Sequence, residues 1–239
     1  MKLLIRLVLL LSSGLIFLAL AVVIQNVDPH QEIPTTETYT FADTLAYDQY
    51  DLDSLIAMIG DNKGLPPGFE VAAAIAYTAY PQLKDVNIDM VFTQGGAPMM
   101  ASLDIWSLFG SRNGRRYKIL LNDSKDTYFD PILLRNLPFD AQVGILAHEL
   151  GHVAYYHQLN LLEFGKWGFS YLQSDEYHAA HERSTDLMPV YHGLGSQIYQ
   201  YAYYVRHDPK GGELYKGAKE FIDKYYMTDK ELWNVIKSE

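Results

Sequence analysis

The sequence predicts an α+β fold in which a small antiparallel sheet packs on one long helix and the C-terminal half is helical. Two stretches, "VNIDMVF" and "RRYKILLN", alternate apolar and polar residues as half-buried strands do. The turn signals "TQGGAP" and "NG" lie next to them. From residue 137 to 158 the apolar residues recur at helical spacing, and this spacing returns in the C-terminal third.

A charged start and an apolar run predict that the first 24 residues are an export element. Lys2 and Arg6 precede residues 7–24, which carry no charge and are long enough to cross a bilayer as a helix. The small residues of "ALA" end at Ala21 and suit a signal peptidase, so a cleaved signal peptide and a retained anchor both stay open. The apolar run continues past Ala21, which favours the anchor.

Both outcomes export the rest of the chain. An anchored domain is expected on the periplasmic or extracellular side of the cell membrane, and a cleaved one in the periplasm or secreted. Residues 25–53 are polar and aperiodic, which predicts a linker, and residues 54–239 form the domain. It begins with two short helices, in "DLDSLIAMIG" and "GFEVAAAIAYTAY", separated by the breaker "KGLPPG".

Composition excludes several classes of function. The 239 residues include no cysteine, so disulfides, thiol catalysis and iron–sulfur clusters are ruled out. A bound metal must therefore be held by histidines and carboxylates. The net charge of −10 repels phosphates, so no nucleic-acid partner is expected.

The long helix carries the sequence "HELGH". His148 and His152 are four residues apart, so they differ by about 40° around the helix and point the same way. Glu149 lies beside them, where a carboxylate takes the proton of the attacking water in H-E-x-x-H zinc peptidases. His157 is turned by about 180° from His148 and belongs to the opposite face. The spacing predicts a zinc site with His148 and His152 as ligands and Glu149 as catalytic base.

Zinc in a catalytic site needs a third protein ligand and an open position. A helical stretch downstream, which Pro189 should bend or end, holds Glu182 and Asp186 four residues apart on one face. We expect Glu182 to bind the metal and Asp186 to accept the N–H of a ligating imidazole. His178 shares this face and is the alternative ligand, or a fourth one, whereas His181 lies about 100° away from Glu182.

"HELGH" followed by "ERSTD" resembles the gluzincin metallopeptidases, most closely the HtpX and CaaX prenyl protease (Ste-type) family, over residues 86–192. The family order of strand, loop, strand and helix is similar to "VNIDMVF", "APMMA", "YKILLND" and "VGILAHELGH". The resemblance implies a zincin-like fold, zinc ligands His148, His152 and Glu182, base Glu149, and Asp186 beside a ligand. Two features depart from the family. Thr185 stands where it usually has alanine, and multiple membrane spans are lacking, so intramembrane or prenylated substrates are not implied.

The expected function is zinc-dependent endopeptidase activity on a polypeptide substrate that pairs with an edge strand such as "RRYKILLN". The membrane is a partner only if the N-terminal segment is uncleaved. A non-catalytic, membrane-tethered scaffold or chaperone that is stabilised by zinc is the alternative, with His178 closing the site. The C-terminal helices are expected only to pack. Candidates for stabilising the oxyanion are Tyr191, His192, Tyr203, Tyr204, Arg206 and His207.

Overall fold

The computed structural model describes residues 45–125 and 127–238. The predicted signal peptide or anchor, residues 1–24, lies outside this part of the chain, as does most of the predicted linker. Within the described residues, no helix has the length and apolar character that crossing a membrane requires. Leu45, inside the predicted linker, is buried, and its backbone N–H donates to Asp140. The chain thus contacts the domain core already at this point.

The α+β fold predicted from the sequence is confirmed, and so is the helical C-terminal half. Thr228 and Glu231 form a capping box at the start of the last helix. The helices are α1 (Leu52–Ile59), α2 (Glu70–Thr78), α3 (Phe139–Gln158), α4 (Leu161–Gln173), α5 (Asp175–Pro189), α6 (Gly195–His207), α7 (Pro209–Tyr225) and α8 (Asp229–Ile236).

One small sheet contains the strands β1 (Lys63–Gly64), β2 (Asn87–Thr93), β3 (Met99–Leu103) and β4 (Arg116–Asn122), in the spatial order β1-β2-β4-β3. β1 and β4 both pair in parallel with β2, whereas β3 is antiparallel to β4. The prediction of an antiparallel sheet was therefore wrong, because the sheet is mixed. β3 also lies in the segment that the family resemblance treated as a loop.

The central position of β4 explains the mixed sheet. The residues Tyr117, Ile119 and Leu121 of β4 are at most 1% exposed. Burial of this apolar surface stabilises the position of β4 between two neighbouring strands. The turn between β2 and β3 passes over the end of β4 and does not close a hairpin. Two bonds show this: Asn122 N–H donates to the Pro98 carbonyl, and the next N–H donates to the end of β2.

This order also corrects the expected substrate strand. "RRYKILLN" is β4, which is paired on both sides, so it cannot accept a peptide as a further strand. The edge strand beside α3 is β3. Alternation of apolar and polar residues identifies a strand but does not identify its neighbours, and the order of pairing is set by the whole core.

α3 runs through the core and packs along α6. Gly144 allows the closest approach, since a Cβ added there would lie 2.3 Å from the carbonyl oxygen of Gln197. The two backbones are therefore in direct contact, and this contact fixes how α6 lies beside the "HELGH" turn. Before α6, α5 ends at Pro189 as predicted, and the backbone is kinked at His192 and at Gly193, whose φ is +82°.

We expect Gly144→Ala to lower the free energy of unfolding by about 1–3 kcal/mol, because backbone atoms cannot yield to the added methyl group. Alanine's better helix propensity, about 1 kcal/mol, acts in the opposite direction. Gly168→Ala in α4 is the matched control, since an added Cβ there meets nothing within 4 Å. Urea unfolding of both variants measures the difference; equal stabilities would contradict the close contact of α3 with α6.

Candidate metal centre

Three side chains from two helices converge in the interior. His148 and His152 extend from α3, and Glu182 extends from α5, with candidate ligand atoms that all lie within 4.8 Å of one another. Glu182 Oε2 is 3.5 Å from His148 Nε2 and 3.4 Å from His152 Nε2. All three residues are buried. The structure thus brings together the two histidines and the carboxylate that the sequence spacing suggested as ligands.

Asp186 orients the first of these imidazoles. Its Oδ1 lies 2.9 Å from His148 Nδ1, while its Oδ2 accepts the Met227 N–H at 2.7 Å, which holds the carboxylate in place. A proton on Nδ1 leaves the lone pair of Nε2 facing Glu182. Burial lowers the pKa of His148, but Asp186 and Glu182 outweigh it and raise this pKa well above its ordinary value.

His181 contacts the second imidazole, and sequence reasoning missed it. Its Nε2 is 3.2 Å from His152 Nδ1, and Thr185 Oγ1 is 3.5 Å from the same atom. His181 is 1% exposed, and burial lowers its pKa to about 3, so its ring is neutral and can accept the proton of His152 Nδ1. Because α5 packs against α3 over more than one face, a residue off the Glu182 face still reaches the site.

Glu182 is held by a tyrosine from α4. The hydroxyl of Tyr171 donates to Glu182 Oε1 at 2.6 Å, so Oε2 is left to face the two imidazoles. Burial alone would raise the pKa of Glu182, yet His152 and His148 hold it well below its usual range. The carboxylate is therefore ionised and fixed in orientation.

Glu149 is buried at the edge of the same cluster. Burial raises the pKa of its carboxyl, although His152 and His148 partly oppose that shift. The backbone of Ala101 in β3 slightly opposes this rise in pKa, and Ala101 lines the same cavity as Glu149, so the edge strand lies near the candidate base. A carboxylate with a raised pKa beside a cluster of ligand-type atoms is a typical arrangement for proton transfer.

The donor set fits zinc. Two imidazole nitrogens and one carboxylate oxygen are the ligands of catalytic zinc sites, which leave one position open. No fourth histidine or carboxylate joins the group within residues 45–125 and 127–238. His178 stays outside it: its Nε2 is 3.8 Å from Glu182 Oε1, and its ring lies against Tyr171. His157 is on the opposite face of α3, next to Tyr117, where its position along the helix predicted it.

A cavity of about 300 Å³ opens beside the cluster. Residues of β3, α3, α6 and α7 line it. The C-terminal helices, expected to be packing elements without chemistry, also shape the cavity, since α7 lines it through the apolar residues Leu214, Ala218 and Phe221. The cluster, Glu149 and this space together form a cleft in which a chain segment can meet the candidate catalytic groups.

Of the six candidates for oxyanion stabilisation, Arg206 lines the cavity. The other five lie elsewhere: Tyr191 and Tyr203 are exposed, His192 stacks on Tyr80, the Tyr204 hydroxyl donates to the Pro131 and Asn136 carbonyls, and His207 pairs with Asp229. Tyr201 and Tyr226 do line it and were not foreseen. Helical spacing places Tyr201 on the internal face of α6 with Ile198 and Val205, so the sequence could have predicted its position. Tyr226 follows the end of a helix, and its local sequence does not predict that it lines the cavity.

The comparisons with known proteins agree with this site. Residues 89–162 match the model of a family described as "Putative metallopeptidase domain". The matched segment runs from β2 past the end of α3, so it contains His148, Glu149 and His152 and ends before Glu182. No curated protein and no solved structure matches the chain. The family match and the buried cluster support a metal-dependent peptidase.

Proposed function

We propose that this chain is a zinc-dependent endopeptidase of the HExxH…ExxxD type. The observation that carries the proposal is the position of Glu149, at the wall of the cavity and directly beside the buried group of His148, His152 and Glu182. The proposal includes the closer relationship to the HtpX and CaaX prenyl protease family, which Glu182 and Asp186 support by lying one turn apart on α5. It also includes export through residues 1–24.

His148, His152 and Glu182 would hold the zinc ion, with Asp186 and His181 fixing the two imidazoles. When bound, zinc makes water a stronger nucleophile at neutral pH and polarises a carbonyl oxygen. The scaffold alternative needs a fourth protein ligand to close the site, and the position of His178 outside the group gives it no support.

Glu149 is the proposed general base. Its carboxylate receives the proton of the attacking water and then passes that proton to the nitrogen of the departing amine. Burial raises the pKa of this carboxyl toward neutrality, where one group can both accept and release a proton. Tyr201 and Tyr226 are the proposed donors to the negatively charged oxygen. Burial raises the pKa of both phenols, so they stay protonated at neutral pH.

The substrate backbone is proposed to pair with β3. This strand has a partner on one side only, and its Ala101 lines the same cavity as Glu149. A peptide that adds as a further strand would run past the catalytic carboxylate with its main chain hydrogen-bonded. Such main-chain recognition depends little on side chains, so selectivity must come from the cavity.

Metal analysis tests the proposal directly. We expect the full-length protein to carry about one zinc ion per chain. It should hydrolyse an unfolded protein such as casein, lose that activity with a chelator, and regain it when zinc is added. Elemental analysis that finds no metal, even after refolding with zinc, would overturn the proposal. Zinc binding without hydrolysis would instead favour the scaffold.

A further inference from the structure

Arg206 is a buried cation in the wall of the same cavity as Glu149. Its side chain is only 5% exposed. Nη1 donates to the Ala202 carbonyl at 3.3 Å, whereas Nε and Nη2 have no hydrogen-bond partner in the part of the chain that the structure describes. Buried guanidinium groups are normally bonded along their planar edge, so Nε and Nη2 are two donors that a bound anion would satisfy. The Arg206 guanidinium also lies over the ring of Tyr215, 5.6 Å from the ring centroid.

The nearby carboxylate does not satisfy Arg206. Nη2 is 3.4 Å from Asp223 Oδ1, which is an ion pair without a hydrogen bond. Asp223 accepts the hydroxyl of Tyr215 on both of its oxygens, at 3.0 and 2.8 Å, and also pairs with Lys219. Arg206 and Lys219 thus share one carboxylate, and these three groups together carry one positive charge, on the same cavity that Glu149, Glu182 and Asp186 line with carboxylates. A ligand with a negative group would balance it.

The walls around Arg206 are apolar. Along α6 and α7 they are formed by Ile198, Ala202, Val205, Leu214 and Ile222. This lining suits a bulky apolar side chain, and its low polarity strengthens the attraction between a guanidinium and an anion. Arg206 and Tyr201 both line the cavity from α6, so both can face a bound substrate.

We propose that Arg206 binds a carboxylate of the substrate, next to a bulky apolar side chain in the cavity. The inference rests on the proposed peptidase function and names its substrate class. The fork of guanidinium donors matches the two oxygens of a carboxylate, which a neutral amide cannot replace. The carboxylate belongs to the C-terminus of a peptide or to an acidic side chain.

Three synthetic peptides distinguish these sources. All share one sequence with central leucine and phenylalanine residues; the first ends in a free carboxylate, the second in an amide, and the third in an amide after a glutamate. Their dissociation constants are measured by calorimetry on the zinc-loaded full-length Glu149→Gln protein, which reports binding without turnover. Cleavage by the wild-type protein is measured in parallel.

We expect a carboxylate-bearing peptide to bind about 10- to 100-fold more tightly than the plain amide. Preference for the first peptide alone assigns the C-terminus, and preference for the third assigns an acidic side chain. In the same background, Arg206→Gln should remove the preference, and Arg206→Lys should keep part of it, because charge remains without the fork. Arg116→Gln, at an exposed arginine outside the cavity, should keep all of it. Unchanged zinc content shows that each variant is folded.

Equal affinity for all three peptides, or a preference that survives Arg206→Gln, would overturn the inference. If the wild type still hydrolyses casein in that case, only the assignment of Arg206 falls. If the carboxylate preference is found but nothing is hydrolysed, the peptidase proposal falls and the binding site stands. The experiment thus distinguishes failure of the Arg206 assignment from failure of the peptidase proposal.

Discussion

Glu149→Gln is expected to reduce hydrolysis of casein by about 10²- to 10⁴-fold while zinc content stays at the wild-type level. Glutamine has nearly the same shape as glutamate but cannot accept a proton at neutral pH. The carboxylate of Glu149 is not among the three side chains that converge as ligand candidates, so the metal should remain. The measurement is the rate of casein cleavage together with elemental analysis of the same samples.

Glu213→Gln is the matched control for this change. The side chain of Glu213 is 77% exposed on α7, so its replacement should leave both activity and zinc unchanged. Full activity of Glu149→Gln would exclude Glu149 as the base. Joint loss of zinc and activity would mean that Glu149 supports the metal group, and the assignment of a purely catalytic role would fail.

The sequence could predict those features that depend on neighbours along one helix. His148 and His152 share a face because they are four residues apart, and Glu182 and Asp186 share one for the same reason. Pro189 cannot donate a hydrogen bond to the Thr185 carbonyl, so a disturbance of the helix near it follows from the sequence alone, although the backbone leaves helical angles only at His192 and Gly193. These relations hold wherever the helices lie, so they need no knowledge of the tertiary fold.

Features that depend on how elements pack could not be predicted in this way. The place of β4 between β2 and β3 depends on the whole core, and so does the contact of His181 with His152. Tyr226 reaches the cavity because α7 turns back over α5, and nothing in its local sequence separates it from the other tyrosines. Sequence spacing thus identified groups on single helices, whereas the cavity required the packed structure.

Three substitutions, Glu182→Ala, His178→Ala and Asp186→Ala, are expected to distinguish the residue that binds the metal from residues that only orient a metal ligand. Glu182→Ala removes one of three donors, so we expect zinc affinity to fall by about 100- to 1000-fold. Asp186→Ala leaves the three donors in place but no longer orients the imidazole of His148. We expect it to lower zinc affinity by about 10- to 100-fold. His178→Ala should leave affinity nearly unchanged. Zinc dissociation constants from competition with a chelating dye measure all three.

The decisive comparison is between Glu182 and His178, because both lie on one face of α5 and differ in what holds them. Glu182 Oε1 is bound by Tyr171, which turns Oε2 to the imidazoles. The ring of His178 instead lies between the tilted rings of Tyr171 and Tyr225, whose centroids are 3.9 and 4.3 Å from its own. Reaching the metal would require His178 to leave both rings. If His178→Ala loses zinc as fully as Glu182→Ala, the site has four protein ligands. The position that substrate and water need would then be closed, and the peptidase proposal would fail with it.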